Sequence, residues 1–351
     1  MNSYRLFIIS SAITAFIIGA TYFTAFNYQF GAPIPASYDL ANWVILKEDI
    51  ARRATGKRIL FVADSNVLFG MDSAYIEKKL GRPVVNMGLH GGLPLDWILN
   101  VAVRNARRGD TVILPLVWGY YLTDYRDLNN WIVEQVVAWN RSYYDGLSLG
   151  RKIRFMKSVS LADLKQNISV KFNKEAILAA NPFLHTQTPS EALAYYDKVA
   201  STQDTFSYSY VNMNDHGDML HTCGVNISAT GASYLFPKKN SSINKYSAKL
   251  LIDSIKAMEA RGVKVFVMAP VQVDSEITRS DWYQEAINNV WSELKKKEVN
   301  LLGTPNDFFF KPESFFNTEY HLNCASNKER SDHILKLLTP VLDTEARRHS
   351  R

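Results

Sequence analysis

The chain contains 351 residues, of which 47% are hydrophobic, enough for one large domain or a domain with a substantial insertion. Its formal charge of +6 suits a location near an anionic membrane surface or polymer, although an ordinary basic surface gives the same value. No nucleic-acid-binding motif accompanies this charge, and neither cysteine lies in a metal-ligand spacing. We therefore expect no nucleic-acid partner, no metal and no cofactor.

An uncharged segment at the N-terminus predicts the cellular location. Leu6 to Phe26 gives 21 consecutive residues without a charge, enough to cross the bilayer core as a helix. Arg5 precedes this segment and the next basic residue is Lys47, so the charge bias places the N-terminus in the cytoplasm. A cleaved signal peptide is the alternative, because small residues near the end of the segment leave room for a cleavage site.

The domain organisation follows from this anchor. We expect a single-pass protein of the inner (cytoplasmic) membrane, held in the bilayer by residues 6–26, with everything after Phe30 outside the cytoplasm. Residues 1–30 form the predicted transmembrane anchor and residues 31–56 the linker and lead-in, which begins with the turn-rich segment Gly31–Ser37. Residues 57–345 form the predicted folded domain.

Short apolar runs alternate with helical patterns in two parts of this domain, which is typical of βαβ units. The predicted strands are Ile59–Val62, Pro83–Met87, Thr111–Val117, Val263–Ala269 and Asn300–Leu302. The predicted helices lie around Asp72–Leu80, Pro94–Arg107, Ile243–Arg261, Asp281–Lys297 and Ser326–Leu338. The pattern therefore predicts an α/β fold with five strands in a doubly wound, mostly parallel sheet.

Residues 120–240 interrupt this alternation after the third strand. They hold amphipathic helical stretches such as Asn130–Trp139 and Leu161–Ala180, and polar aromatic loops such as Thr205–Asn214. A structureless connection of this length is improbable in a compact domain. We therefore expect a large helical insertion.

Chemically capable residues follow the predicted strand ends. Asp64-Ser65-Asn66 comes directly after the first strand, and His321 lies just before the last helix. Ligands of open parallel sheets bind outside the carboxyl ends of the strands. A serine at such an end, with a histidine brought from distant sequence, predicts a nucleophile and its base.

These residues resemble a known family. Ala63-Asp64-Ser65-Asn66 resembles the first block of the SGNH (GDSL) hydrolases, with Ala63 in place of the leading glycine. Asn86-Met87-Gly88 resembles their second block, and His321 lies where their catalytic histidine lies. The anchor and the insertion are similar to those of a membrane-anchored branch, which includes the D-alanyl transfer protein of teichoic acid synthesis and acyltransferase-like proteins of exopolysaccharide clusters. The resemblance covers roughly residues 57–116 and 263–338.

The resemblance implies a flavodoxin-like SGNH fold and a role for each matching residue. Ser65 would be the nucleophile and His321 its base, and the amides of Ser65 and Gly88 would form the oxyanion hole. Further polar residues are candidates for orienting the histidine or lining the pocket: Asp64, Asn66, Asn317, Glu319 and Gln272.

Two departures from the family pattern bear on activity. Thr318 stands where the family usually carries an aspartate, three residues before the histidine, and no asparagine of a third block follows the third strand. Ser65 and His321 would then act as a dyad or an incomplete triad, or the site would only bind. Asp215 or Asp218 of the insertion is an alternative source of the missing acid.

The predicted function is a membrane-anchored, extracytoplasmic serine esterase or O-acyltransferase acting on an envelope glycan or exopolysaccharide. The acyl donor would come from a multispanning membrane partner, which the resemblance alone implies. The alternative is an inactive SGNH-like binding or scaffold component of a polysaccharide synthesis or export complex. Non-catalytic readings also exist for single residues: Ser65 as a helix N-cap, His321 as a structural histidine, Gly88 as a plain turn and His90 as a surface-loop histidine.

The two cysteines leave one structural alternative open. Cys223 and Cys324 are the only cysteines in the chain. In an oxidising compartment they could form a bridge that ties the insertion to the segment after His321, although an even count of two is weak evidence.

Overall fold

The computed structural model describes residues 3–224 and 236–349, and within them it has an α/β architecture. The strands are β1 (Ile59–Phe61), β2 (Val84–Asn86), β3 (Thr111–Leu114), β4 (Lys264–Met268), β5 (Gln272–Val273), β6 (Leu301–Leu302) and β7 (Phe309–Phe310). The helices up to the third strand are α1 (Ser3–Tyr28), α2 (Asp39–Arg53), α3 (Ser65–Leu68), α4 (Ser73–Leu80) and α5 (Leu95–Asn105).

The helices that follow the third strand fall into two groups. Those of the predicted insertion are α6 (Gly119–Leu122), α7 (Asn130–Ala138), α8 (Arg141–Asp145), α9 (Leu149–Ser158), α10 (Leu161–Phe172), α11 (Lys174–Ala180) and α12 (Pro189–Val199). Those of the C-terminal part are α13 (Lys245–Glu259), α14 (Glu276–Arg279), α15 (Asp281–Lys296) and α16 (Asn327–His349).

Five strands form one sheet in the order β2-β1-β3-β4-β6, and every pairing in it is parallel. The strands β1, β2 and β3 consist of buried residues only, as expected for a sheet covered on both faces. The predicted five-stranded parallel sheet is therefore confirmed. All its carboxyl ends meet at one edge, where Ser65 follows β1.

Proline and capping residues explain most of the element boundaries. The third predicted strand extends to Val117, but β3 ends at Leu114 because Pro115 has no N–H for the ladder. The Asp72 side chain caps α4 by accepting from the Tyr75 amide, and Gly81 ends that helix with a φ of 63°. The predicted stretch Leu161–Ala180 is two helices, α10 and α11, which meet at Asn173.

Two features of the structure are absent from the sequence-based prediction. The strands β5 and β7 pair in parallel as a small second sheet. The helix α2 occupies most of the segment predicted as a lead-in, with Asp39 in its first turn and Arg52 and Arg53 in its last, which suits the helix dipole. It carries the buried side chains Trp43 and Lys47.

The chain forms two compact units. The first, here the membrane-helix unit, consists of Met1–Ala41 and Arg126–Thr186, and the second, here the sheet unit, of Asn42–Tyr125 and Gln187–Arg351. The predicted insertion is thus divided between them. Its helices α7 to α11 belong to the membrane-helix unit, and its last part belongs to the sheet unit.

The helix α1 is long and apolar enough to cross a membrane. Its large apolar side chains are exposed as far as Phe23, whereas Phe26 is buried against the rings of Phe30, Tyr144 and Phe155 in the same unit. The segment predicted as a linker is packed on α7. The Gly31 amide donates to the Val137 carbonyl at 2.7 Å, and the Ser37 amide donates to the Gln135 side chain at 2.8 Å.

Candidate functional site

Ser65 lies at the carboxyl end of β1, as the first residue of the short helix α3. Asp64 is the N-cap, since its side chain accepts the Asn66 amide, so Ser65 is not used as the cap. An amide at the first position of a helix has no acceptor inside that helix. The Ser65 amide therefore has no acceptor inside α3, and the residue is buried, with 2% exposure.

The Asp64 carboxylate joins the ends of two strands. It accepts from the Asn66 amide at 2.9 Å, from the Asn66 side chain, and from the Val117 amide beyond β3 at 3.1 Å. Burial raises the pKa of Asp64, while the hydrogen bonds from Asn66 and Val117 act in the opposite direction. Asp64 thus has a structural role in holding the Ser65 turn.

Arg330 of α16 holds the same turn from the other side. Its guanidinium is fully buried and donates to the carbonyls of Asn66 and Phe69 and, at 2.9 Å, to the Asn66 side-chain oxygen. Burial lowers the pKa of Arg330 to about 9, an effect that Asp64 and Asp218 oppose. The Asn66 side-chain nitrogen, Nδ2, donates to the Pro115 carbonyl at 2.8 Å as well as to Asp64. Both polar atoms of the Asn66 side chain are therefore used in the scaffold.

His321 is stacked on Phe69, close to Ser65. The two ring centroids are 3.9 Å apart and nearly parallel, at 8°. Phe69 follows Ser65 by four residues, and residues so spaced on a helical turn have Cβ atoms about 5–6 Å apart. Phe69 also donates its amide to the Ser65 carbonyl at 3.1 Å, so one intervening residue connects His321 to Ser65. No hydrogen bond joins Ser65 and His321 within the described residues.

The His321 ring is oriented by Asn317. Nδ1 lies 2.7 Å from Asn317 Oδ1, and because that oxygen only accepts, Nδ1 carries the proton. Nε2 then has the free electron pair, and it is buried without a hydrogen-bond partner in the part of the chain that the structure describes. Of the predicted orienting candidates beside Thr318, Asn317 supplies this contact. Thr318 forms the turn, where its carbonyl accepts the His321 amide.

Burial and a second histidine keep His321 neutral. Its pKa lies well below the ordinary 6.5, first because of burial and then because of His90. His90 is half-buried, and its Nδ1 accepts the Gly92 amide at 3.0 Å. Burial lowers the pKa of His90 to about 4. His90 therefore belongs to the surroundings of the site, in contrast to the reading as a surface-loop histidine.

An aromatic cluster surrounds the two histidines. Tyr208 belongs to the predicted insertion. The centroid of its ring lies 5.8 Å from that of His90, 6.3 Å from that of His321 and 5.0 Å from that of Trp43, which it meets edge-on. Phe206 packs on Phe316 at 4.9 Å. Sequence reasoning did not place these residues at the site. The only signal was the aromatic content of the segment 205–214.

Gly88 lies beside the Ser65 helix, and its amide is already used. The N–H donates to the Asn86 side-chain oxygen at 2.9 Å. A Cβ on Gly88 would stand 2.5 Å from the Leu68 nitrogen, so this residue must be glycine for β2 and α3 to approach. To stabilise an oxyanion, the Gly88 amide would have to exchange or share its present acceptor.

Buried hydrogen bonds hold the insertion loop to β2, and the Asp218 carboxylate takes part in them. Its carboxylate accepts from the Ser73 hydroxyl at 2.6 Å and from the Asn86 side chain at 2.8 Å. Lys47 donates to the Asn86 carbonyl at 2.7 Å and to the Gly217 carbonyl, and burial lowers its pKa to about 7. Asp218 is therefore used in the scaffold rather than as the missing triad acid.

Gln272 is likewise used outside the site. Its oxygen accepts from the Trp118 indole at 2.8 Å and from the Tyr283 hydroxyl at 3.2 Å, and its amide donates to the Pro305 carbonyl at 2.7 Å. These contacts connect β5 to its neighbours.

A disulfide between Cys223 and Cys324 closes the site region. The Cα atoms are 4.8 Å apart, and the Cys324 amide donates to the Thr222 carbonyl. Cys324 follows His321 by three residues. The bridge therefore ties the end of the described insertion to the loop that delivers the histidine.

We expect Gly88→Ala to lower the free energy of unfolding by about 1–3 kcal/mol, because the new methyl group meets backbone rather than a movable side chain. Chemical denaturation of the full chain in detergent measures this. Gly150→Ala is the matched control, since nothing lies within 4 Å of its Cβ position in α9. Equal stability of the two variants would contradict the close packing.

No protein-family model matches this chain, and no curated protein is significantly similar to it. The residues and their geometry are therefore the basis for assigning a function. Within the described residues, Asn317 holds His321, and Phe69 connects His321 to the short helix that Ser65 begins after β1. The structure assigns scaffold contacts to Asp64, Asn66, Asp218 and Gln272.

Proposed function

We propose that this protein is a membrane-anchored, extracytoplasmic SGNH-like serine acyl-ester hydrolase or O-acyltransferase that acts on an envelope glycan or exopolysaccharide. One observation carries the proposal. His321 is held by Asn317 through Nδ1, its buried Nε2 has no partner among the described residues, and its ring stacks on Phe69, four residues after Ser65. An unsatisfied buried nitrogen is costly, and one that serves as a catalytic base has a reason to persist.

The chemistry proceeds in two balanced steps. His321 Nε2 accepts the proton of Ser65 Oγ as that oxygen attacks an ester carbonyl, and the proton then passes to the departing alcohol. The acyl group is now an ester of Ser65. Water or a sugar hydroxyl attacks this ester, gives its proton to His321, and releases Ser65 with its proton restored. The Ser65 amide, at the first position of α3, would donate to the oxyanion in both steps.

The fold and the N-terminal helix agree with this proposal. Counting only its own strands, the main sheet has the order 2-1-3-4-5, which is that of flavodoxin-like doubly wound folds. The helix α1 would anchor the chain, with Arg5 on the cytoplasmic side. An active site outside the cytoplasmic membrane favours an envelope polymer as acceptor and a multispanning membrane protein as acyl donor.

A second candidate is an inactive scaffold component of a polysaccharide synthesis or export complex. It is favoured by the Gly88 amide, which donates to Asn86 instead of facing an open oxyanion position. The lack of a hydrogen bond between Ser65 and His321 among the described residues points the same way. The two candidates differ in whether Ser65 is activated.

A fluorophosphonate probe tests this difference on the full chain in detergent or native membranes. We expect covalent labelling of the wild type at Ser65, no labelling of Ser65→Ala, and full labelling of Ser148→Ala, which removes an exposed serine whose side chain makes no cap hydrogen bond. An unlabelled wild type that binds polysaccharide would favour the scaffold.

The pH dependence follows from the lowered pKa of His321. We expect the labelling rate to stay constant as the pH falls through 6.5, because the buried imidazole remains neutral there.

The stability of the fold is expected to depend on pH in this range. Below pH 6.5 the unfolded chain takes up protons on His321 and His90 that the folded chain refuses, so stability is fully present above pH 6.5 and falls as the pH drops toward the folded values. The labelling rate and the free energy of unfolding, measured across this pH range, check the two expectations. A labelling rate that halves at pH 6.5 would contradict a neutral His321.

A further inference from the structure

The helix α9 has an apolar face that the protein leaves uncovered. Leu149 is 76% exposed and Ile153 46% exposed, and Met156 completes the spacing of four and three residues on the same face. Phe155 is the one buried residue of this helix. An apolar face of this kind on a surface helix normally packs against something.

Cations flank this face. Viewed along the helix axis, Lys152 and Lys157 lie on its two sides. The Lys152 ammonium lies 5.5 Å from the centroid of the Tyr144 ring, and both lysines have long side chains that can bring an ammonium group to the edge of the apolar stripe. Arg154 lies farther round and pairs with Asp127 at 2.7 Å. The helix itself contains no acidic residue. An apolar stripe between cations is typical of helices that lie in the interface of an anionic bilayer.

Contacts between α9 and α1 indicate what covers the apolar face of α9. The Tyr22 hydroxyl of α1 donates to the Met156 carbonyl, and the ring centroids of Phe26 and Phe155 are 6.2 Å apart. Both α1 residues belong to the predicted membrane-spanning segment, residues 6–26, which ends at Phe26. Tyr22 is four residues before that end, or about 6 Å along the helix axis. Interfacial helices bury their apolar face about 5–10 Å into the boundary between headgroups and acyl chains.

We infer that α9 is an interfacial helix that docks its Leu149–Ile153–Met156 face into the bilayer surface beside α1, with anionic headgroups bound by Lys152 and Lys157. The inference rests on the membrane anchor of the proposed function but not on its catalysis. The bilayer is favoured over a protein partner because α9 contacts α1, the helix that is long and apolar enough to cross a membrane. Docking gives the membrane-helix unit two attachments, which limits its rotation about the axis of α1.

Fluorescence quenching by nitroxide-labelled lipids tests the inference on the full chain in phosphatidylcholine vesicles with and without phosphatidylglycerol. The native cysteines are paired, so a single environment-sensitive probe can be placed at Ile153→Cys, with Arg154→Cys as the control on another side of α9 and Ile13→Cys as the control for α1. We expect quenching at positions 153 and 13 and little at position 154. In the vesicles that contain phosphatidylglycerol, Lys152→Gln and Lys157→Gln should each shift the ratio of docked to undocked helix by about fivefold.

The outcomes separate the two attachments. Quenching at position 13 without quenching at position 153 overturns the docking of α9 and leaves the anchor intact. Absence of quenching at both positions overturns the anchor as well. Shielding of position 153 that depends on protein density and not on nitroxide lipid would identify a second copy of the chain as the occupant, which also overturns the inference.

Discussion

Ser65→Ala is expected to lower ester hydrolysis or acyl transfer by roughly 10³-fold or more, since the acyl-enzyme cannot form without the Oγ nucleophile. His321→Ala should cost nearly as much, and the double variant should be no worse than either single one, because the two residues act as a unit. Turnover of small acyl esters by the full chain in detergent measures all three. His185→Ala is the control for loss of an exposed histidine outside the site.

Asn317 provides the sharper part of this test. Its oxygen holds Nδ1 protonated and Nε2 free, so Asn317→Ala should lower the rate by roughly 10²–10⁴-fold through loss of that tautomer and orientation. Asn317→Asp keeps an acceptor at the same place and should retain activity. Equal losses in both variants would mean that Asn317 supports the fold and not the imidazole. Full activity of Ser65→Ala would remove the proposed mechanism altogether.

Loss of the Cys223–Cys324 bridge is expected to lower the free energy of unfolding by about 4 kcal/mol, because the bridge closes a loop with a sequence separation of 101. The paired variant Cys223→Ser/Cys324→Ser and reduction of the wild type should give the same loss in denaturant titrations. Reduction should leave the paired variant unchanged, which makes that variant the control for the reductant. Two free thiols in the denatured, unreduced protein would contradict the bridge.

The main sheet could be predicted because its signal is local. The runs at Ile59, Val84 and Thr111 are short, apolar and separated by helical patterns, and the structure pairs all of them in parallel. Hydrophobic periodicity does not depend on distant residues, so it survives without tertiary information. The helix α2 was missed because it lies between a turn-rich segment and the first strand, where its apolar positions were read as a lead-in.

The candidate site could be predicted only in part, for a related reason. The position of Ser65 follows from the end of β1, at the carboxyl edge of a parallel sheet. The surroundings of His321 do not follow in this way: the stacking of Phe69 on His321 and the approach of Tyr208 depend on how the insertion and the C-terminal loop fold back. The partners of Gln272 could not be predicted either, because a glutamine at a strand end has several possible ones, and in the structure it contacts Trp118, Tyr283 and Pro305.

By itself, the sequence determined the apolar N-terminal helix, the five parallel strands and the strand end that Ser65 follows, since each depends on periodicity, length or strand direction. The tertiary structure alone decided which polar groups are free to act. Asp64, Asn66 and Asp218 are consumed by buried hydrogen bonds, whereas His321 Nε2 is left without a partner among the described residues. The physical reason is that burial makes every polar atom seek a partner, and which partner it finds depends on contacts between residues far apart in the chain.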